Sequence, residues 1–433
     1  MPPEEAVSQM QSAHRPNPLA PRIADAVRAH RDEIVALSLA IHANPEPGFE
    51  ERAASRLVAD LLARHGYTVE RPAGSVETAI RARLAGGIAG GAVPAGGAVP
   101  AGGPVPAGGG APAGPGATRR GPTIAILAEY DALRGLGHGC GHNLISAAGV
   151  GAAIALAAVR DDLPGDIVFL GTPAEEDLEG KQRMLDDGLF AGVDAAMMIH
   201  ASNGTQVELE LLASIDAEVT FTGVQAHAST DPWRGRNALD GVLLLFGGIG
   251  LWRQQLRTDA RVHGIITDGG SAVNIIPGRA CAHIRLRSRD DAYHAQMRER
   301  LDTMVRAAAA ATGTESTVRW FAHARTMRHN ETIGARFRAH LADAGVTDGP
   351  LSPRLGSSDI GNVSFVVPTI HPMLGITDEP VPLHSEAFRD LAATAQAQEV
   401  ALIGATCLAQ TAADLLVDPV LLPAAREEFR AAS

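Results

Sequence analysis

The sequence predicts an α/β protein: a domain with a mostly parallel sheet, into which a smaller α+β domain of ferredoxin-like order is inserted. In the first half, apolar strands alternate with helices, as in TIAILAEY, LISAAGVGAAIALAAVRD, GDIVFLG and AAMMIH. From residue 214 the order changes to β, α, β, β, α, β, and from residue 330 the first pattern returns. We therefore expect the larger domain to comprise residues 1–213 and 329–433, with the inserted domain at 214–328.

Two amphipathic helices come first. Apolar residues recur at helical spacing in IADAVRAHRDEIVALSLAIHANPEPG, where Pro45 and Pro47 end the first helix, and again in FEERAASRLVADLLARHG. A strand, AIRARLAG, precedes GGAVPAGGAVPAGGPVPAGGGAPAGPGATRRG, a near-perfect hexapeptide repeat. Such a segment buries too little apolar surface to offset the entropy lost on ordering. We therefore expect residues 86–121 to form a disordered surface insertion between two strands.

The inserted domain carries six elements. They are the strand IDAEVTFTG, the helix NALDGVLLLFGGIGLWRQQL, the strands RVHGIITDGG and ACAHIRLRSR, a helix at residues 291–312 and the strand ESTVRWFAH. This order leaves an edge strand and an apolar helix exposed, and pairing two copies about a two-fold axis would cover both. We therefore expect a homodimer. Beyond residue 384 the pattern predicts one long helix.

The amino-acid composition and net charge argue against several classes of function. Of the 433 residues, 45% are hydrophobic and 20% charged, and no uninterrupted apolar run reaches the roughly 18 residues of a membrane span. The formal charge of −12 disfavours nucleic acid or a membrane as partner, because phosphate binding needs clustered Lys and Arg. Cys140, Cys281 and Cys407 are too widely spaced for a disulfide framework. The segment MPPEEAVSQMQSAHRPNPLAPR lacks the basic start and the apolar core of a secretory signal, so we expect none. We expect a cytoplasmic protein with a small-molecule substrate.

Candidate site residues occur directly after apolar strands, where open α/β sheets bind ligands. They are Cys140 and His142 after TIAILAEYDA, Glu175 and Glu176 after DIVFLG, His200 in AAMMIHAS, and His384 in PVPLHSEAF. Cysteine, imidazole and carboxylate together form a ligand set that suits zinc best, with manganese or cobalt as alternatives.

Taken singly, each of these residues has a plainer interpretation. A lone loop histidine is usually solvated, two adjacent acids are usually a solvated surface, and Cys-Gly-His with Asn143 as N-cap could be only a helix start. Cys140 could also be a nucleophile paired with a histidine, although Glu176 and His384 would then be unexplained. A non-catalytic metal-binding or ligand-binding protein is a further alternative.

Seven ordered motifs carry a resemblance to a known family. They are EYDALRGLGHGCGHNLI, TPAEED, MMIHASN, FTGVQAHAS, GGSAVNIIPGRACAHIRLR, GSSDIGNVSFVVP and PLHSEAF. With these motifs the chain resembles the metallopeptidases and amidohydrolases of peptidase family M20. Within that family it is most similar to subfamily D, which contains aminobenzoyl-glutamate hydrolases, N-acyl amino acid amidohydrolases and dipeptidases. The resemblance covers nearly the whole chain except the repeat.

The resemblance implies a role for each candidate. It implies that two divalent metal ions, sharing one bridging carboxylate, are held by Cys140, His142, Glu176, His200 and His384. It further implies that Glu175 is the general base, which takes a proton from water and delivers it to the leaving amine. The fold implied is a metallohydrolase catalytic domain with an inserted dimerisation domain.

In the inserted domain, the resemblance implies that His227 reaches the active site of the partner subunit and stabilises the oxyanion. It implies that Asn274 and Arg287 hold the substrate's carbonyl or carboxylate. For each of these residues, an ordinary surface polar group is the plainer alternative. We also expect Asp131 to orient a ligand histidine.

These observations predict a metal-dependent hydrolase that cleaves the amide bond of a small dipeptide or an N-acyl, for example aminobenzoyl, amino acid with a free carboxylate. Asn143 stands where many acyl-amino-acid hydrolases of this branch have Asp, which favours the dipeptidase-like group. No metal role is expected for His138, His263 or His371.

Overall fold

The computed structural model describes residues 17–87, 121–351, 355–377 and 379–432. Nearly all of the predicted repeat insertion, at residues 88–120, lies outside the described residues. The residues that flank it lie against one loop: the amide of Gly87 donates to the carbonyl of Arg160 at 2.8 Å, and a side chain at Gly121 would collide with the carbonyl of Pro164. The chain therefore leaves the domain and rejoins it at the same place.

The described residues form fourteen strands and twelve α-helices. The strands are β1 (Thr68–Glu70), β2 (Ile80–Leu84), β3 (Thr123–Ala128), β4 (Asp166–Gly171), β5 (Ala195–Met197), β6 (His200–Ser202), β7 (Ala213–Thr222), β8 (Ala226–His227), β9 (Arg261–Asp268), β10 (Ile275–Ile276), β11 (Arg279–Ser288), β12 (Glu315–Ala324), β13 (Thr369–Ile370) and β14 (Met373–Gly375). The helices are α1 (Ala20–Ala29), α2 (Arg31–Ala43), α3 (Arg52–Arg64), α4 (His142–Ala158), α5 (Gly180–Asp186), α6 (Ala238–Trp252), α7 (Asp291–Thr312), α8 (Glu331–Asp343), α9 (Ile360–Val363), α10 (Glu386–Leu391), α11 (Ala395–Val417) and α12 (Leu421–Ala431).

A six-stranded sheet of order β1-β2-β4-β3-β5-β13 forms the centre of the larger domain. Strand β3 runs parallel to β4 and β5, and β5 runs parallel to β13, whereas β2 runs antiparallel to β1 and β4. Strands β3 and β4 are buried along nearly their whole length, as expected where both faces of a sheet are covered. The predicted α/β fold with a mostly parallel sheet is confirmed.

Helix α4 lies in the core because small and apolar residues surround its axis on all sides. It packs against α11, α2 and α1. Its start differs from expectation: Gly141, in a left-handed conformation, precedes the helix, so Asn143 is not the N-cap. The Asn143 Nδ2 instead donates to the Ser38 Oγ at 2.9 Å and the Ala392 carbonyl at 3.1 Å. These bonds fix the end of α4 that carries His142.

Beyond residue 384 the predicted long helix is present as α11, and two helices that were not predicted, α10 and α12, precede and follow it. Helix α11 is, among the described residues, the one helix long and apolar enough to cross a membrane by length and composition. In the structure 72% of its most apolar window is buried, and it packs against α4 and α8. Burial in a protein core accounts for such an apolar sequence.

A second sheet, of four antiparallel strands in the order β12-β7-β11-β9, lies between residues 213 and 324. Helices α6 and α7 pack against β7 and β11 and share their apolar core. The predicted ferredoxin-like inserted fold is confirmed. The sequence pattern missed the short pair β8 and β10, and it predicted α6 too long, since a 3₁₀ turn at Arg253–Gln255 follows Trp252.

Candidate metal centre

The structure brings together the five side chains that the sequence analysis proposes as metal ligands. The ligand atoms of Cys140, His142 and His200 lie within 4.8 Å of one another, and so do those of Cys140, Glu176 and His384. The side chain common to both groups is Cys140. The two oxygens of Glu176 also face both groups, at 3.9 Å from the His142 Nε2 and 3.5 Å from the His384 Nε2. Two overlapping groups with one shared donor suit a pair of ions.

These side chains meet because their strands and helices end at one edge of the larger domain. Cys140 lies between β3 and α4, His142 begins α4, Glu176 follows β4, and His200 begins β6. His384 precedes α10 and has a φ of 60°, a left-handed conformation that is uncommon for a residue with a Cβ. The amide of His384 donates to the carbonyl of Gly139 at 2.9 Å, which holds this segment against the Cys140 turn.

Gly141 allows the Cys140 turn to approach β6. Its φ is 79°, and a Cβ at this position would lie 2.8 Å from the Cβ of Ala201. Glycine adopts this conformation without steric cost and leaves room for the neighbouring strand. As a result, the Sγ of Cys140 lies 3.6 Å from the Nε2 of His200.

Asp131 holds two parts of the cluster in place. Its Oδ1 accepts a hydrogen bond from the His142 Nδ1 at 2.9 Å, and its Oδ2 accepts one from the Glu176 amide at 3.0 Å. Because Nδ1 donates to Asp131, Nε2 is the nitrogen of His142 that remains available as a ligand. This geometry agrees with the expected orienting role of Asp131.

Three buried polar atoms of the cluster have no hydrogen-bond partner within the described chain: His142 Nε2, Glu176 Oε1 and Glu129 Oε2. The His142 Nε2 lies 3.9 Å from the Glu176 oxygen and 3.5 Å from the Glu129 oxygen. A buried polar atom without a partner costs about 1–3 kcal/mol. Imidazole, carboxylate and thiol donors that face the same space are those that a divalent cation binds. These residues therefore fit a metal ion.

Crowded carboxylates dominate the electrostatics of the cluster. Burial, together with Glu129 and Glu176, raises the pKa of Glu175 well above its usual value. Burial also raises the pKa of Glu176 to about 7, although His142 opposes this shift. Burial and the neighbouring Glu176 raise the pKa of the Cys140 thiol. A cation favours the ionised forms, whereas a nucleophilic cysteine requires a lowered thiol pKa, so this environment argues against a Cys140 nucleophile.

Sequence reasoning missed a group of buried charges beside the cluster. Glu129, His142 and Glu175 form a third group whose ligand atoms lie within 4.8 Å of one another. Glu129 directly follows β3, so the strand-end signal that identified Glu175 could have found it. Lys181 forms buried ion pairs with both Glu129 and Asp359, and neither Lys181 nor Asp359 carries a comparable local signal.

The candidate residues of the inserted domain lie apart from this cluster. His227 is exposed on β8, where its Nδ1 contacts Ser229. Asn274 is exposed beside β10, and its carbonyl accepts a hydrogen bond from the Ala228 amide. Arg287 lies on β11, and its buried Nε has no partner within the described chain. Among the described contacts, no hydrogen bond or ion pair joins these three residues to the cluster.

The three histidines without an expected metal role have different surroundings. His263 is exposed on β9. His138 is buried, its Nε2 lies 3.1 Å from the Ile41 carbonyl, and burial lowers its pKa to about 3. His371 is buried and stacks on His200, with 5.5 Å between the ring centroids.

Comparison with known proteins places the chain in a family. The model of peptidase family M20/M25/M40 matches residues 126–406, a range that contains every candidate site residue. The chain belongs to peptidase family M20/M25/M40. The resemblance that the motifs carry is therefore confirmed, and with it the prediction of an enzyme that hydrolyses amide bonds rather than a non-catalytic binding protein.

Relatives of this M20 enzyme include two hydrolases and a solved structure. Human Xaa-Arg dipeptidase is 32% identical over 419 residues, which cover 94% of this chain and 91% of the relative. One of the p-aminobenzoyl-glutamate hydrolase subunits of Escherichia coli strain K12 is 32% identical over 279 residues, or 60% of this chain and 51% of the relative. A dinuclear metal-binding M20 peptidase from Bacillus subtilis shares the fold, with a TM-score of 0.64 at 19% identity over 90% of this chain and 99% of its own.

Proposed function

We propose that this M20 enzyme hydrolyses the amide bond of a small dipeptide or N-acyl amino acid with a free carboxylate. The observation that carries the proposal is the pair of ligand groups that share Cys140, beside the buried carboxylate of Glu175. The residues that would hold two divalent ions are Cys140, His142, Glu176, His200 and His384. Zinc suits these donors best, with manganese or cobalt as alternatives.

Bound at these residues, two divalent ions would supply Lewis-acid catalysis at the amide carbonyl and at water. Glu175 supplies the proton transfer: its carboxylate takes a proton from the attacking water and delivers it to the leaving amine. The Glu175 Oε2 lies 3.9 Å from the His142 Nε2, so the base is adjacent to the ligand groups. Two neighbouring residues of one loop can therefore have different roles, with Glu176 as a metal ligand and Glu175 as the general base.

The substrate class rests on the relatives and on two residues of the inserted domain, Arg287 and Asn274. One relative is named for Xaa-Arg dipeptides and the other for p-aminobenzoyl-glutamate, and both compounds join an amino acid with a free carboxylate through an amide bond. Arg287 has the planar guanidinium that binds a carboxylate through two parallel hydrogen bonds, and its Nε is without a partner in the described chain. Asn274 would bind the carbonyl group of the substrate.

We expect the active enzyme to contain two divalent ions per chain and to lose hydrolysis when they are removed. Five donor side chains exceed the four ligands of a single tetrahedral zinc. Elemental analysis measures the ions, and hydrolysis of a panel of dipeptides and N-acyl amino acids is followed before chelation, after it and after metal is returned. Full activity with one ion would contradict the two-ion centre. Activity unchanged by complete metal removal would contradict the proposed function.

We also propose the domain boundaries 1–213, 214–328 and 329–433, a cytoplasmic location, and no nucleic-acid or membrane partner. The change from one sheet to the other at residues 213 and 324 supports the boundaries. Cys140, Cys281 and Cys407 are all free and buried, which is typical of a reducing compartment. The net charge of −12 opposes binding to phosphate-rich partners.

A homodimer is proposed because the inserted domain exposes apolar side chains on a helix and on an edge strand. On α6, Leu243, Leu244 and Leu251 are 53%, 50% and 68% exposed, and on β9, Ile265 and Ile266 are 63% and 42% exposed. Among the described residues β9 pairs with β11 alone, which leaves one edge of β9 free. A second copy related by a two-fold axis would cover both surfaces.

The double variant Leu243→Glu/Leu251→Glu is expected to be monomeric at concentrations where the wild type is dimeric. Burial of a leucine stabilises an interface by about 1.5–3 kcal/mol, so losing two should weaken association by at least about a hundredfold. Sedimentation velocity over a concentration series measures this. Leu57→Glu, at a 40% exposed leucine of α3, is the matched control and should leave association unchanged. A double variant that dimerises like the wild type would place the interface elsewhere.

A further inference from the structure

Lys181 is a fully buried lysine beside the proposed metal centre. Its Nζ lies 2.6 Å from the Glu129 Oε1 and 2.5 Å from the Asp359 Oδ1, and none of the three side chains is exposed. These charge-assisted hydrogen bonds replace the hydration that the ammonium group loses on burial. Buried ion groups are seldom more stabilising than apolar residues of similar shape. The presence of this group therefore points to a role other than packing.

Glu129 connects Lys181 to the ligand groups. Its Oε1 is held by Lys181, whereas its Oε2 has no hydrogen-bond partner within the described chain and lies 3.5 Å from the His142 Nε2. A carboxylate oxygen of Glu175 belongs to the same group of ligand atoms. One oxygen of Glu129 is thus fixed by the lysine, and the other faces a ligand histidine and the proposed base.

Asp359 anchors Lys181 at two points. Its Oδ2 accepts a hydrogen bond from the Lys181 amide at 2.8 Å, and its Oδ1 accepts one from Nζ. Asp359 directly precedes α9, where Asn362 donates to the His323 carbonyl at 2.7 Å and accepts from the Arg325 amide at 2.8 Å. His323 and Arg325 lie at the end of β12. The anchor of Lys181 is therefore formed where the chain returns from the inserted domain.

We infer that Lys181 is a positioning residue of the metal centre, which holds Glu129 in the orientation that faces His142 and Glu175. The inference rests on the proposed metal centre. Residues that position the groups around a metal ion without binding it typically cost about 10- to 100-fold in metal affinity or activity when they are lost. Lys181 affects the metal centre indirectly, because it contacts Glu129 rather than one of the proposed metal ligands.

The test uses the full-length enzyme loaded with Co²⁺, whose visible absorption reports ligand geometry independently of turnover. Lys181→Met keeps the length of the side chain and removes its charge. We expect an altered cobalt spectrum, cobalt retention against a chelator weakened by about 10- to 100-fold, and kcat lowered by a similar factor with KM nearly unchanged. Asp359→Asn leaves both Glu129 and Lys181 in place and should show the same changes to a smaller extent. If Lys181→Met does not fold, the same measurements on Asp359→Asn test the inference.

Two further variants separate positioning from stability. Asp414→Asn is the matched control, because Asp414 is a buried carboxylate of α11 that bonds to the His340 Nε2 at 2.8 Å; it should lower Tm and leave the cobalt spectrum unchanged. Glu129→Gln/Lys181→Met also removes the Glu129 charge that the single variant leaves without its cation, so it should recover part of the lost Tm relative to Lys181→Met while the spectrum stays altered. A wild-type spectrum and kcat in folded Lys181→Met would overturn the inference. Wild-type enzyme that binds no Co²⁺ would instead overturn the proposed metal centre.

Discussion

Replacement of Glu175 by glutamine is expected to lower kcat by about 10²–10⁴-fold, the range that a general base contributes. The amide preserves the shape of the side chain but cannot accept the proton of the attacking water. Glu175 is only 6% exposed, so bulk water is poorly placed to substitute for it. KM and metal content should remain near wild-type values because Glu175 is not one of the five proposed ligands. Steady-state kinetics with metal analysis of the same samples measures both.

Glu179→Gln is the control for this prediction. Glu179 lies on the same segment after β4, where it pairs with Arg183 at the surface. Exposed ion pairs contribute little, so kcat should stay within about twofold of wild type. Glu175→Gln enzyme within a few-fold of wild type would reject the role of base. Loss of a metal ion from that variant would make Glu175 a ligand.

Replacement of His227 by alanine is expected to lower turnover by about 10²–10³-fold, the usual cost of losing one oxyanion donor. The His227 ring is exposed on β8 and is therefore accessible to a second subunit. If it serves the neighbouring site, as the family resemblance implies, metal content and dimerisation should be unchanged. Glu299→Ala, at an exposed residue of α7 in the same inserted domain and outside the proposed dimer interface, is the control and should keep full activity.

Mixing two inactive variants tests whether His227 acts across the dimer. His227→Ala and Glu175→Gln chains, combined and allowed to exchange subunits, should form heterodimers in which one site has an intact Glu175 and an intact His227 from opposite chains. Random exchange yields one good site in half of the dimers, so activity should return to at most about a quarter of wild type. Exchange demonstrated by mass without recovery of activity would show that His227 acts within its own chain or not at all.

Much of the fold was predictable because strands, helices and their order are encoded locally. The alternation of apolar strands and helices predicted the larger sheet, and the six-element order predicted the inserted one. Local turns were less predictable: Asn143 resembles an N-cap, but Gly141 takes the left-handed position before α4, and Asn143 is used for tertiary hydrogen bonds.

The candidate site was predictable to the extent that parallel strands place their carboxyl ends together. This rule, with the family motifs, pointed to Cys140, His142 and Glu176, and the structure brings their side chains together. That they bind metal stays a prediction. The position of Cys140 in both ligand groups was not predictable, because it depends on how closely the turn at Gly141 packs against Ala201 of β6.

Local sequence patterns were thus sufficient to predict the two kinds of sheet. The motifs were sufficient to predict the family and the five proposed metal ligands. Only the tertiary structure decided the surroundings of those ligands. Lys181 is separated by 52 residues from Glu129 and by 178 from Asp359, and a lysine at the start of a short helix is ordinarily exposed. Its burial follows from the packing of α5 against α9 and from the ion pair with Glu129 beyond the end of β3, and no local pattern encodes contacts between segments so far apart.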